Sequence, residues 1–218
     1  MPYRQTEGVQ ARLTDNRARL LQAARNQVSE GGWEQAQVSG IAAAAGMATG
    51  NVYRYFPSKA DLFAEVVAEV SGRELAVMQD IARSGEPPAQ RLHTAVATFV
   101  RRAMRNPQLA YSMIAEPCDK AIDAERLKWR ARISECILKM IVDAQRAGVA
   151  RDGLQPDIAA TVIVGGFMEA LVGPLSPLNK HAKGTQEQRK RHVEFLAQRI
   201  AATCCGAVLT TRRRSPAQ

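Results

Sequence analysis

The sequence predicts an all-α protein of about nine helices, and two observations support this fold class. Apolar residues recur with helical spacing along almost the whole chain, and no alternating apolar run is long enough for a sheet. Glycine and proline are confined mainly to the boundaries between these segments. The predicted helices cover residues 14–30, 39–45, 49–56, 58–83, 89–105, 107–115, 119–147, 156–175 and 185–204.

The most informative stretch is residues 38–63, VSGIAAAAGMATGNVYRYFPSKADLF. A short alanine-rich helix ends at Gly46, a residue type that readily takes the left-handed conformation of a helix C-cap. Thr49 can cap a second short helix, which a proline ends. Ser58 and Asp61 then have the spacing of a capping box at the start of a long helix. Two short helices joined by a glycine turn are typical of the helix-turn-helix unit that binds DNA.

The second short helix carries residue types that contact DNA. In a helix-turn-helix the first residues of the second helix face base edges, and here that helix starts at Thr49. Gly50 lets the backbone approach DNA closely, and the amide of Asn51 offers both a donor and an acceptor. Three further side chains could reach phosphates: Tyr53, Arg54 and Lys59. Arg54 could instead read a guanine edge.

The stretch GMATGNVYRYFPSKADLF resembles the recognition-helix signature of TetR-family transcriptional regulators. The preceding segment ARLLQAARNQVSEGGW resembles the first helix of that family, so the resemblance covers roughly the first seventy residues. The sequence departs from the family pattern at Ala48, where serine is usual. It also departs at Gln37 and Val38, where a threonine often caps the first helix of the motif. The candidate DNA-binding residues are Ser39, Thr49, Gly50, Asn51, Tyr53, Arg54, Tyr55 and Lys59.

The resemblance also implies the overall organisation and the function. It predicts a helix-turn-helix domain over residues 1–60, a helical ligand-binding and dimerisation domain over residues 61–208, and a basic tail over residues 209–218. The long helix from Ser58 is expected to span both domains. In TetR-like homodimers a small molecule in the second domain changes the separation of the two recognition helices and releases a palindromic operator. We therefore expect a regulator, and by family expectation a repressor.

Residues 158–175 form a predicted helix that is apolar around its whole circumference, with Glu169 its only charged residue. The length permits a membrane span, but its glycines and flanking prolines in a charged chain favour a buried helix. The last helix has apolar residues at helical spacing and could pair with it in a four-helix dimer interface. The interface candidates are Gly165, Gly166, Glu169, Val172, Val193, Leu196 and Ile200.

The predicted ligand pocket lies on the central helix and its neighbours. Trp129 is the strongest candidate, because aromatic faces serve binding pockets well. Each candidate could equally be plain core. Glu116, Arg126 and Arg130 could add polar contacts or form surface ion pairs. The ligand-pocket candidates are Phe99, Tyr111, Met113, Trp129, Ile133, Cys136, Met140 and Phe167.

The formal net charge of +9 is unevenly distributed. Residues 1–60 carry 7 basic and 4 acidic side chains, residues 61–175 carry 14 and 15, and residues 176–218 carry 9 and 2. The excess of basic side chains in residues 1–60 is consistent with attraction to DNA phosphates. The basic excess in residues 176–218 could add non-specific affinity for DNA. Alternatively, it could form a solvated surface with a disordered end over residues 210–218.

Other function classes receive little support. The four cysteines show no C-x-x-C spacing and no nearby histidine cluster, so we expect buried thiols, with a redox sensor as the alternative. The three histidines lie far apart, and neither a glycine-rich phosphate loop nor G-x-S-x-G occurs. We expect no enzymatic activity, no metal and no cofactor. The polar N-terminus predicts a cytoplasmic protein. A helical module that binds protein through residues 38–59 remains an alternative.

Overall fold

A computed structural model describes residues 7–179 and 185–210. Within these residues all regular structure is helical, which confirms the predicted fold class; one isolated antiparallel bridge joins Ala150 to Leu209. The helices are α1 (Glu7–Gln35), α2 (Val38–Ala44), α3 (Thr49–Val52), α4 (Lys59–Ala82), α5 (Pro88–Ala103), α6 (Pro107–Ile114), α7 (Lys120–Arg146), α8 (Pro156–Leu175) and α9 (Gln186–Gly206).

Two predicted helices differ clearly in their boundaries from the structure. Helix α1 begins seven residues before the predicted start at residue 14 and runs to Gln35, with a kink at Gly32 (φ 76°). Helix α3 ends at Val52 instead of Phe56, because the backbone hydrogen bonds that follow have the shorter spacing of a turn. The Arg54 and Tyr55 N–H groups donate to carbonyls only three residues back. The spacing of Val52 and Phe56 looked helical, yet a turn of this kind also buries both side chains.

The chain divides into two compact units. Unit 1 contains the described residues up to Val70 together with Gln108–Arg126. Unit 2 contains Ser71–Pro107 and the described residues from Leu127 onward. Helices α4 and α7 therefore each contribute residues to both units. Sequence reasoning had assigned residues 108–126 to the second domain, whereas contacts place them with the helix-turn-helix.

The core of unit 1 is formed by apolar side chains that α1, α2, α3 and the start of α4 bury together. Arg17 links α1 to the residues on either side of this core. Its guanidinium lies 4.8 Å from the centre of the Phe56 ring and forms an ion pair with Glu65 on α4. The side chains with at most 2% exposure include Leu20, Ala24, Val28, Ile41, Ala42, Val52, Phe56, Leu62, Phe63 and Val66.

A buried polar network joins the end of α1 to the segment from α6 to α7 in unit 1. The Trp33 indole N–H donates to the Ser112 carbonyl at 2.9 Å, and the Trp33 backbone N–H donates to Glu116 Oε1 at 3.0 Å. The Ser112 hydroxyl donates to the same carboxylate, and the Arg126 guanidinium donates to the Ser112 and Glu116 carbonyls. A Cβ at Gly32 would collide with the Glu116 carboxylate, which occupies the space that only glycine leaves.

Helices α5, α8 and α9 pack together in unit 2. The Phe99 and Phe167 rings meet between α5 and α8, with centroids 4.7 Å apart. Arg102 on α5 forms a two-bonded pair with Glu74 on α4, at 2.6 and 2.9 Å. Arg91 donates to the Ala82 carbonyl at the end of α4 and lies 3.2 Å from an Asp143 oxygen on α7. These pairs tie α5 to its neighbours.

Helix α8 is the one described helix that is long and apolar enough to cross a membrane. Eight of its residues, including Phe167 and Leu171, are buried against other helices of unit 2. Its opposite face is exposed and carries mostly apolar or small residues besides Asp157 and Glu169, with Ile158 and Val162 61% and 59% exposed. Burial along one side supports the interpretation of α8 as a helix packed in protein.

The end of α9 returns to the loop after α7. The Thr210 N–H donates to the Val149 carbonyl at 2.9 Å, and Arg151 donates to the Gly206 carbonyl at 2.6 Å. Leu209 and Thr210, which the sequence assigned to the tail, therefore pair with the loop. The rest of the predicted tail, residues 211–218, lies outside the described residues, as do Lys180 and Lys183.

The pair between Arg101 on α5 and Glu194 on α9 should make unit 2 sensitive to acid. Two bonds of 2.8 Å join them, and the arginine lowers the pKa of Glu194 from 4.5 to about 2. Because the folded-state pKa lies below the unfolded one, the contribution is complete above about pH 4.5 and is lost as the pH falls towards 2. We expect Glu194→Gln to lower the free energy of unfolding by at most about 1 kcal/mol at pH 7, since the pair is exposed. Urea titrations from pH 7 to 2.5 should show this difference shrinking; a constant difference would contradict the assignment.

Candidate nucleic-acid interface

The turn between α2 and α3 has the geometry that a helix-turn-helix requires. Gly46 takes φ 69°, as predicted, and the N–H groups of Gly46 and Met47 donate to the Ala43 and Ala42 carbonyls at 3.0 and 2.8 Å. Arg19 on α1 donates to the Ala45 carbonyl at 2.6 Å. The first helix of the chain therefore holds the turn directly.

The helix starts differ from the predicted capping in two places. The N-cap of α3 is Ala48, which has no capping side chain, and Thr49 is the first helical residue, so the predicted Thr49 cap was wrong. At the start of α2, where the family usually has a threonine cap, the Gln27 side chain accepts a bond from the Gln37 N–H at 3.1 Å. Sequence reasoning missed Gln27, because its partner lies ten residues away on another helix.

The predicted cap of α4 is present in its main features. The Asp61 N–H donates to the Ser58 hydroxyl oxygen at 3.1 Å, and that hydroxyl donates to the Asp61 carboxylate at 2.8 Å. The cap residue, Ser58, lies one residue before Lys59, where the long helix begins. The position of α3 relative to α4 follows from the same short loop.

The predicted DNA-binding residues form two groups. Six are exposed on α2, on α3 and in the turn that follows α3: Ser39, Thr49, Gly50, Asn51, Tyr53 and Arg54. The remaining two are only partly exposed and already contact neighbours. The Tyr55 hydroxyl accepts a 3.0 Å bond from Asn16 on α1, and the Lys59 ammonium lies 5.2 Å from the centre of the Phe63 ring. A Cβ at Gly50 would meet no atom within 4 Å, so this side of α3 is open.

Gly46 and Gly50 provide a matched pair of substitutions. We expect Gly46→Ala to lower the free energy of unfolding by about 1–2 kcal/mol, because an L residue is strained at positive φ. Its Cβ would also lie 2.9 Å from an Arg19 nitrogen. Gly50→Ala should leave stability unchanged or slightly raised, since its site is open and helical. Urea unfolding followed by circular dichroism compares the two; equal losses would argue against the left-handed turn.

The predicted ligand-pocket residues are distributed over both units. Tyr111 and Met113 belong to unit 1, whereas the other candidates belong to unit 2. In unit 2, Phe99 and Phe167 form the ring pair described above. Three candidates share the inner face of α7 and are at most 5% exposed: Ile133, Cys136 and Met140. Of the α7 candidates, Cys136 borders an open groove between α4 and α7.

The predicted interface candidates on α8 and α9 differ in exposure. Gly165, Gly166 and Glu169 are exposed on α8, and Ile200 is only 7% exposed and packs inside its own chain. The remaining candidates are half-buried: Val172, Val193 and Leu196. Sequence reasoning missed three exposed apolar side chains of the same two helices, namely Ile158, Val162 and Phe195. Periodicity identifies an apolar face but does not say which side the fold leaves uncovered.

The four cysteines are free thiols, of which Cys136 and Cys205 are buried and Cys118 and Cys204 are half-buried. Burial raises the pKa of every one of them, that of Cys205 to about 12. A raised pKa keeps a thiol protonated near neutral pH and lowers its reactivity. Among the described residues, no group of three or more His, Cys, Asp or Glu side chains is placed to hold a metal ion.

Comparison with known proteins agrees with this geometry. Residues 20–66, from α1 through the helix-turn-helix into α4, match the family described as bacterial regulatory proteins, tetR family. The chain is 36% identical over 99 residues to the HTH-type transcriptional repressor KstR of Mycobacterium tuberculosis, a match that covers 45% of each protein. The chain thus spans about half the length of this curated relative.

Two solved structures share the fold over most of the chain. The fatty acid degradation regulator FadR from Bacillus halodurans superposes with a TM-score of 0.72 at 20% identity, covering 88% of this chain and 95% of that one. FadR from Bacillus subtilis, solved in complex with stearoyl-CoA, gives 0.71 at 18% identity over 86% and 97%. Residues 20–66 therefore match the TetR family of bacterial regulatory proteins, and the described part of the chain shares its all-helical fold with both FadR structures.

Proposed function

We propose that this protein is a cytoplasmic, dimeric repressor that leaves a palindromic operator when a small molecule binds unit 2. The exposed surface of α3 carries the proposal. Thr49, Gly50 and Asn51 on α3 and Arg54 in the turn after it are exposed to solvent, while Val52 on the same helix is buried and α3 packs against α2. The similarity to a curated repressor over a match that covers 45% of the chain supports repression rather than activation.

A dimer explains both the operator symmetry and the uncovered face of unit 2. One recognition helix reads only a few base pairs, whereas two helices about 34–36 Å apart read successive turns of DNA. The exposed face of α8, with Ile158, Val162, Gly165 and Gly166, and Phe195 on α9 form the proposed interface. Small residues there allow the helices of two subunits to approach closely.

A lipid-derived effector is the first class to screen. FadR of Bacillus halodurans is described as a fatty acid degradation regulator, and FadR of Bacillus subtilis was solved in complex with stearoyl-CoA. Helix α4 contributes to both units, so a ligand that shifts its second half would change the setting of the helix-turn-helix. Such a ligand releases DNA only to the extent that it binds the released conformation more tightly.

Fluorescence anisotropy with DNA flanking the protein's own gene tests the proposal. A scrambled duplex of equal composition is the control, and both are measured at several salt concentrations. We expect tight selective binding to the flanking DNA and release on addition of stearoyl-CoA. Equal, weak and steeply salt-dependent binding to both duplexes would show only attraction between basic side chains and phosphates, and would contradict sequence-specific binding.

A further inference from the structure

A groove of about 450 Å³ opens between the second half of α4 and α7, entirely within unit 2. Its floor is apolar and is formed by Leu75 and Ala82 on α4 and by Cys136 on α7. Leu75 and Cys136 are 9% and 5% exposed, so the floor is anchored in the core. The volume lies in the range of sites that hold small organic ligands.

Three cations border the same groove: Arg83, which directly follows α4, and Arg132 and Lys139 on α7. Two acidic side chains offset part of this positive charge: Glu135, which lines the groove, and Asp80, which pairs with Arg83 at 2.7 Å. The balance is therefore positive. The pair between Arg83 and Asp80 is about 70% exposed on both sides, and such pairs exchange partners at little cost.

The positive charges at the rim of the groove also influence Cys136 at its floor. Burial raises the pKa of the Cys136 thiol, while the charges of Lys139 and Arg83 both act to lower it. Lys139 on α7 and Arg83, directly after α4, therefore both act electrostatically on a residue of the apolar floor. An anionic group bound at the rim would be stabilised by the same field.

Arg132 is held in place before any ligand arrives. Its guanidinium lies 4.6 Å from the centre of the Trp129 ring. Trp129 in turn packs on α4, where a Cβ at Gly72 would lie 3.2 Å from the ring. Trp129 is therefore a positioning residue, because it orients a cation and maintains the spacing of the two helices.

We propose that this groove binds the effector, and that the effector is an amphipathic anion whose carboxylate or phosphate lies on Arg132 and Lys139 while its apolar chain lies on Leu75, Ala82 and Cys136. The inference rests on the proposed function only in assigning a regulatory outcome to binding. The binding itself follows from the groove.

Isothermal titration calorimetry on the full chain without DNA tests the site. The probes are decanoate, decyl phosphate and the neutral decan-1-ol, each below its aggregation concentration. Lys139→Gln and Arg132→Gln remove one rim charge each from exposed positions, and Ala82→Phe fills the floor. Lys190→Gln, which removes an exposed charge from α9, is the matched control. Circular dichroism melts verify that each variant is folded.

We expect at least one anion to bind, and to bind about tenfold or more tightly than the alcohol. Each rim variant should weaken that binding by about tenfold, Ala82→Phe should abolish it, and Lys190→Gln should leave it unchanged. Preference for decyl phosphate over decanoate would identify a phosphorylated head group, and the reverse a carboxylate. Equal binding of anion and alcohol, full affinity in the rim variants, or no binding of either anion would overturn the site.

The outcome is separable from that of the proposed function. Anion binding that depends on Lys139, in a protein with no operator preference, would establish the groove and contradict the repressor. Operator binding released by stearoyl-CoA to the same extent in Lys139→Gln as in the unsubstituted protein would leave the repressor standing and overturn the groove.

Discussion

Replacing Trp33 with alanine is expected to lower the free energy of unfolding by about 3–5 kcal/mol, the typical cost of deleting a large buried aromatic side chain. Trp33 is 5% exposed, and its ring lies 5.2 Å from that of Phe63. The substitution leaves a cavity in unit 1 and removes the donor to the Ser112 carbonyl. Urea unfolding monitored by far-ultraviolet circular dichroism measures the loss.

Trp33→Phe separates packing from hydrogen bonding in the same position. It keeps most of the ring but not the indole N–H, and the Ser112 carbonyl retains its bond from Arg126. We expect a loss of about 1–2 kcal/mol, the usual range for one buried hydrogen bond. If Trp33→Ala and Trp33→Phe cost the same, ring packing would not be the main contribution of this residue.

Arg54→Glu is expected to weaken operator binding by about 100-fold or more. The change removes one favourable contact to phosphate or guanine, worth about 1–3 kcal/mol, and adds repulsion from the DNA backbone. Arg54 is exposed beside α3, so the melting temperature should stay the same. Anisotropy titrations with operator duplex measure the affinity.

Arg105→Glu is the control for the change in net charge, because Arg105 is an exposed arginine at the end of α5 in unit 2. We expect it to weaken binding much less than Arg54→Glu does. Similar effects of the two substitutions would mean that overall charge, and not α3, determines affinity. Normal binding by Arg54→Glu would favour the alternative in which residues 38–59 bind protein.

Local signals were sufficient to predict most of the fold. Gly46 and the Ser58 cap act within a few residues of chain, so their sequence spacing already contains their geometry. The apolar run of α8 predicted its bounds to the residue. Helix α3 was predicted too long, because the spacing of Val52 and Phe56 fits both a helix and a tight turn.

Long-range contacts were out of reach of the sequence. The bond from Trp33 to Ser112 joins residues 79 apart, and Arg126 looks like any charged residue on the surface of α7. The rim of the groove depends on which faces of α4 and α7 meet, which periodicity does not specify. Cys136, a ligand-pocket candidate from its face on α7, lines that groove, and its contact with a ligand stays a prediction.

The network around Trp33 sets a limit on how this protein can be recombined with similar proteins. A hybrid joined within α4, with everything after the junction taken from another regulator, would replace Ser112, Glu116 and Arg126. The foreign segment would then have to accommodate the Gly32 turn and satisfy the Trp33 donors. Unit 1 therefore consists of two separate segments of the chain, residues 7–70 and 108–126, which have to be exchanged together in such a hybrid.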